Sequence, residues 1–264
     1  MDLQLTGKTA LVTGSTAGIG FAIADLLAAE GARVIVNGRT PRRVEEAVDK
    51  IRKSHPAAKV TGVAADVGTA TEINLLIEGA GDVDILVNNA GIFRPTPFER
   101  ISDEEWNELF QINVMSGVRL SRRYLPKMLA KNWGRIIFIS SESGVQVPAE
   151  MIHYGMTKTA QLAISRGLAE ITAGTNVTVN SVLPGPTASE GANSFVDQMA
   201  NAKKISAKEV EAEFFKSVRP SSLLKRFATV GEVANLVVYV ASPLSSATNG
   251  AALRVDGGVV RTIV

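Results

Sequence analysis

Short apolar runs alternate with amphipathic stretches along nearly the whole chain, and no other feature limits its folding options so strongly. Residues 8–13 form a brief apolar run closed by Gly14, as a strand buried on both faces reads. Ile19, Ile23, Leu26 and Leu27 then recur at helical spacing, and Gly31 ends that helix. The same reading predicts strands at 33–37, 59–64, 84–88, 135–139, 176–182 and 253–255. Helices are predicted at 41–54, 71–79, 102 to about 132, 151–173 and 229–241. Thr40 is placed to cap the second helix, with Pro41 in its first turn and His55-Pro56 at its end. Ser102 with Glu105, and Thr229 with Glu232, read as capping boxes, while Pro126 predicts a kink or break near Tyr124. Strands alternating with helices predict an α/β fold: one doubly wound parallel sheet of about seven strands, helices on both faces, in a single domain over residues 1–264.

Residues 187–224 break that rhythm. They are polar, with a weak helical pattern around Phe195, Met199, Phe214 and Phe215, and are expected above the strand ends as a lid over a substrate pocket or packed against the body or another subunit. No internal repeat or linker divides the rest.

Composition narrows the chemistry. The chain contains no cysteine, which removes disulfides, thiolate nucleophiles and thiolate metal sites, and two histidines are too few for a His-rich metal centre. A net charge of +2 with scattered basic residues gives no nucleic-acid footprint. No apolar run is long enough to span a bilayer, and residues 1–8 lack the pattern of a secretory signal, so a soluble, cytoplasmic protein is expected.

Two stretches carry chemistry. The first is Thr13-Gly14-Ser15-Thr16-Ala17-Gly18-Ile19-Gly20, between the first strand and first helix. Glycines there permit a tight turn and let backbone approach a pyrophosphate, while the helix amino end supplies unpaired N–H groups and positive dipole. Its spacing is G-x-x-x-G-x-G rather than G-x-G-x-x-G. The second is Tyr154-Gly155-Met156-Thr157-Lys158, where a helix would put the phenol and the ammonium one turn apart on one face. A cation beside a phenol lowers its pKa, which would make Tyr154 a usable general acid or base.

Together with Asn88-Asn89-Ala90-Gly91 after the fourth strand and Ser141 ahead of Tyr154, these motifs resemble the short-chain dehydrogenase/reductase family, from Gly7 to Gly258 and in the family's order. The resemblance implies a Rossmann-type fold and hydride transfer between a nicotinamide and a carbonyl or secondary alcohol. Tyr154 would give or take the proton, Lys158 would lower its pKa and bind the nicotinamide ribose, and Ser141, rather than its neighbour Ser140, would polarise the substrate oxygen. Asn113 would help hold a water in a proton relay through the lysine. The cofactor would meet Gly14, Ser15, Thr16, Gly18, Ile19 and Gly20 at its phosphates. Asp66 and Val67 would line the adenine, Asn88, Ala90 and Gly91 the adenosine side, and Pro184, Gly185 and Thr187 the nicotinamide.

An acid closing the second strand would favour NAD; here Asn37-Gly38-Arg39 offers a guanidinium instead, so NADP(H) is expected over NAD(H). Glu142, Ser143, Gln146 and His153 are available as a polar pocket wall, with a plain structural role favoured for His153. Met115, Val118, Leu125 and Leu129 are apolar residues free to pair subunits or to face the sheet, and a homotetramer or dimer is expected by resemblance. The competing readings are an NAD-preferring alcohol or sugar dehydrogenase, an epimerase or lyase that oxidises its substrate transiently, and a cofactor-binding sensor without turnover.

Overall fold

The computed structural model describes residues 2–263 and, for residues 192–195, the backbone alone. Its centre is a seven-stranded sheet of β1 (Thr9–Val12), β2 (Arg33–Gly38), β3 (Val60–Ala64), β4 (Ile85–Asn88), β5 (Gly134–Ile139), β6 (Val177–Pro184) and β9 (Ala252–Val255). The short strands β7 (Thr187–Ala188) and β8 (Ala228–Thr229) pair separately. The order is β3-β2-β1-β4-β5-β6-β9 with every pairing parallel. Successive strands move outward from β1 to β3, then restart at β4 on its other side. That reversal opens a crevice beyond the carboxyl ends of β1 and β4, where ligands bind in open α/β sheets.

Side-chain alternation along the strands feeds two cores. On one face Val12, Val34, Val36, Val87, Ile137 and Val182 pack with helices α1 (Gly18–Ala29), α2 (Pro41–Ser54) and α9 (Val230–Ala241). On the other, Leu11, Ile35, Leu86, Ile136, Phe138 and Val179 meet α3 (Ala70–Ala80), α5 (Ser116–Ala130) and α6 (Ile152–Ile171). Helix α4 (Asp103–Phe110) precedes α5, and α7 (Glu190–Lys203) and α8 (Ala207–Ser217) occupy the interruption between β6 and α9.

Several local expectations change. The long fourth helix is not broken at Pro126: α5 runs through it, because Pro126 and Arg122, the residue whose carbonyl loses its donor, both face solvent. The irregularity lies earlier, in one π turn over Gln111–Met115 that joins α4 to α5 and contains Asn113. Thr40 stands at the N-cap of α2 without a side-chain cap bond. The Ser102 hydroxyl accepts from Glu105 N, but the Glu105 carboxylate turns to Thr96 and His153 instead of closing the box. At α9 both bonds of the Thr229–Glu232 box are present. Leu125 is buried in the core and Leu129 packs against it, while Met115 and Val118 are half-buried. No helix among the described residues is long and apolar enough to cross a membrane.

Candidate active site

The turn after β1 is held open by its neighbours. Gly14 and Gly18 adopt φ of 60° and 57°, the region where a side chain is strained. A Cβ on Gly20 would stand 2.4 Å from both Asn89 Nδ2 and the Gly14 carbonyl. Thr13 Oγ1 accepts from the N–H groups of Asn89 and Ala90, and Asn89 Nδ2 donates to the carbonyls of Thr13 and Gly14. The loop after β4 is thereby locked to the turn after β1. Ala17, at the N-cap of α1, supplies no side-chain cap, so the first-turn N–H groups face the crevice without one.

Ser15 does not belong to this surface. It is fully buried; its hydroxyl donates to the Val12 carbonyl and accepts from Asn37 N, and its own N–H donates to the Asn37 carbonyl. Asn88 likewise points away, its amide donating to Ser121 Oγ on α5. Thr16, Gly18, Ile19, Gly20, Arg39, Asp66, Val67, Ala90, Gly91, Pro184, Gly185 and Thr187 do line one cleft of about 1070 Å³, together with Gly14.

Tyr154, Lys158, Ser140 and Ser141 line the same cleft. Ser140 Oγ is committed to the Lys158 carbonyl at 2.9 Å, whereas the Ser141 hydroxyl donates to the Glu142 carboxylate and accepts from Ser143 N. Lys158 Nζ lies 5.6 Å from the Tyr154 ring centroid and donates to the Ile139 carbonyl at 2.8 Å and to Gln161 Oε1 at 3.3 Å. Burial pushes the Tyr154 phenol well above its ordinary value and Glu142 pushes the same way, with Ser141 and Arg219 opposing. Burial also pushes Lys158 down to about 7, with Glu142 opposing. The cation that opposes desolvation at the phenol is Arg219, and desolvation outweighs it.

Asn113 sits behind this group and does not line the cleft. Its side chain accepts from Ile92 N and donates to the Ile92 carbonyl and to Thr157 Oγ1, tying the loop after β4 to α6. Its backbone carbonyl accepts from Gln161 Nε2 at 2.6 Å. Gln161, which no sequence motif singled out, thus bridges the π turn and the Lys158 ammonium.

At the far end the wall mixes apolar and charged groups. Phe93, Met151, Met199, Val210, Phe214 and Phe227 line it, and so do Glu142, Ser143, Glu150 and Arg219. Phe215 turns inward against Phe214 and Phe227. The Phe195 side chain lies outside the described residues. Neither Gln146 nor His153 reaches the cleft; His153 is fully buried, with Nε2 3.0 Å from Glu105 Oε1 and its ring edge on Trp106, a structural role.

A dinucleotide fits the opposite end. The cradle at Gly14 and Gly20 has no room for a Cβ, uncapped helix N–H groups border it, and Arg39 and Arg43 line the same cleft.

Known proteins share this architecture. Residues 8–200 match the sequence pattern of the family described as short chain dehydrogenase. The uncharacterized oxidoreductase YvaG of Bacillus subtilis is 50% identical over 263 residues, covering 100% of both chains. A D-beta-hydroxybutyrate dehydrogenase of Cupriavidus necator is 35% identical, covering 97% of this chain and 99% of its own. The L-sorbose reductase of Gluconobacter frateurii, solved with NADPH and L-sorbose, superposes with a TM-score of 0.93 at 32% identity and 100% coverage of both chains.

Proposed function

Because the chain belongs to the short-chain dehydrogenase/reductase family, and is therefore an enzyme of that oxidoreductase type, we propose that it moves hydride between NADP(H) and a carbonyl or secondary alcohol, with Tyr154 as the proton donor and acceptor. The observation that carries this reading is convergence: Tyr154, Lys158 and Ser141, from one stretch of the chain, meet the sequence-distant glycine turn in one cleft.

When bound, the reduced nicotinamide supplies the hydride. The protein's own part is to position and to move a proton. Ser141 and Tyr154 flank the substrate oxygen, so the phenol proton passes to that oxygen as negative charge develops on it. A neutral phenol is a competent donor for reduction. Lys158, held by Ile139 and Gln161, stands next to Gly91, 3.4 Å from where a Cβ would be, and is placed to grip the nicotinamide ribose and to return a proton to Tyr154. Asn113 contributes from behind: its carbonyl holds Gln161, whose other end holds Lys158, so the link from the π turn to the lysine runs through a side-chain amide.

NADP(H) is assigned over NAD(H) because the first residue past β2 is Arg39, on the cleft wall, with Arg43 beside it and no carboxylate among residues 37–39. The substrate is a small carbonyl compound or alcohol.

Tyr154→Phe should abolish NADPH-dependent carbonyl reduction, by at least a thousandfold in kcat, while NADPH affinity by fluorescence titration changes less than threefold. Retained turnover would remove Tyr154 from the role. Absorbance of NADPH followed against a carbonyl panel also separates reduction from transient oxidation and from binding without turnover.

A further inference from the structure

Beside the proposed proton donor lies a charged cluster that hydride transfer does not require. The Glu142 side chain is buried, one residue after Ser141. One carboxylate oxygen accepts the Ser141 hydroxyl and the other accepts Arg219 Nε at 3.1 Å. Arg219 follows α8 and is 9% exposed; its Nη1 donates to Glu150 Oε1 and to the Val218 carbonyl, both at 3.0 Å. All three charged residues line the cleft, amid Phe93, Met151, Val210, Phe214 and Phe227. An ion pair set in an apolar wall incurs desolvation that two hydrophobic side chains of the same size would avoid.

We propose that Glu142 and Arg219 form a hydroxyl-recognition site, and that the carbonyl compound reduced here is a neutral polyhydroxylated ketone. The proposal rests on the reading of Tyr154 and Ser141 given above and adds the substrate class.

Hydrogen-bonding capacity supports it. A carboxylate offers about four lone-pair positions, and the protein uses one on each Glu142 oxygen. A guanidinium has five N–H donors; Arg219 spends one on Nε and two on Nη1, and among the described residues Nη2 has no hydrogen-bonded acceptor. The pair therefore presents spare acceptors next to spare donors. A diol matches both, one hydroxyl donating to Glu142 while its neighbour accepts from Arg219. Ser141 has one hydroxyl proton, so to polarise a substrate carbonyl it turns that proton from Glu142 to the substrate oxygen, and the Glu142 oxygen so released can accept from a hydroxyl on the adjoining carbon.

Charge decides against an acid. Arg219 is compensated by two carboxylates, Glu142 and Glu150. Lys203, which also lines the cleft, is paired with Glu213. Lys158 is turned to Ile139 and Gln161. At Glu142 and Arg219 a substrate carboxylate would meet two like charges against one cation already shared between them, an unfavourable juxtaposition. Hydroxyl groups meet no such opposition, and a site built to bond them discriminates against analogues that lack them.

The test measures kcat/KM with NADPH for four probes: L-sorbose, 5-keto-D-gluconate, 2,3-butanedione and acetoacetate. L-Sorbose should exceed each of the others at least tenfold. Glu142→Gln and Arg219→Met should each lower the ratio of L-sorbose to 2,3-butanedione at least tenfold, with the NADPH dissociation constant within threefold of wild type as a check on folding. Turnover of 2,3-butanedione without preference for L-sorbose, preference for either acid, or an unchanged ratio in both folded variants overturns the hydroxyl site while leaving the reductase intact. Failure to oxidise NADPH with any of the four probes by a protein that still binds NADPH overturns the hydroxyl site, and failure across the wider carbonyl panel as well overturns the reductase reading. Should neither variant fold, the wild-type ranking of the four probes still decides.

Discussion

Ser15 and Lys158 show how much a single side chain's direction decides. Ser15 stands inside the glycine turn yet is bonded inward, to Val12 and Asn37. Ser15→Ala should cost about 1–3 kcal/mol in urea denaturation, since Asn37 N loses a buried acceptor, and should alter NADPH affinity little. A large loss of affinity without loss of stability would return Ser15 to the phosphate site. Lys158 makes a sign-specific case. Its folded value of about 7 lies below the ordinary 10.5. Between those pH values the unfolded chain holds one more proton, so its contribution to stability rises with pH, by at most about 1.4 kcal/mol per unit. The raised Tyr154 phenol takes stability away only above about pH 10. Denaturation midpoints of the cofactor-free protein at pH 7, 8 and 9 should therefore climb more steeply than those of Lys158→Met; parallel slopes would show that the ammonium is not desolvated. The motif residues Gly14, Tyr154 and Lys158 were legible because their spacing is local. Arg219, Glu150 and Gln161 were not: each enters the site through contacts made across the fold, 69 to 77 residues apart for Arg219 with its two partners. Nor does spacing tell which of Ser15 and Thr16 faces inward.

Helix ends carry the same lesson. Thr229 and Thr40 each stand before a helix, but Thr229 has Glu232 three residues on where Thr40 has Arg43, and only Thr229 closes a capping box, with Glu232, which Arg226 also grips. Thr229→Ala should cost about 1 kcal/mol and Thr40→Ala less than about 0.5 kcal/mol in the same denaturation measurement. Equal effects would mean that the box contributes nothing beyond propensity. The order of strands and helices was readable because buried runs and 3.6-residue periodicity are strong signals. The π turn at Gln111–Met115 was not, since an extra residue in one helical turn leaves hydrophobic spacing nearly unchanged, and Pro126 drew attention to the wrong place. The interruption after β6 was visible as a break in rhythm, but its two helices are too polar to be drawn from pattern alone.

Taken as a whole, the molecule places cations at one end of its cleft and a compensated ion pair at the other. Ligand linkage makes that division measurable. At a concentration 100 times its dissociation constant, NADPH should add about 2.7 kcal/mol to stability, a rise in Tm of roughly 5–10 °C. NADH at the same concentration should give a clearly smaller rise, and Arg39→Ala should bring the NADPH shift down to that of NADH. An equal response to both nucleotides in the wild type would defeat the assignment of NADP(H). The last strand has a further consequence. Gly185, which lines the cleft, rests directly on the backbone of Asp256, where a Cβ would approach the Asp256 carbonyl to 2.4 Å, and Pro184 pairs with Val255. A chain in which β9 has not yet joined the sheet has no such support beneath Gly185, so the nucleotide can help to fold this enzyme only once Ala252–Val255 are paired with β6.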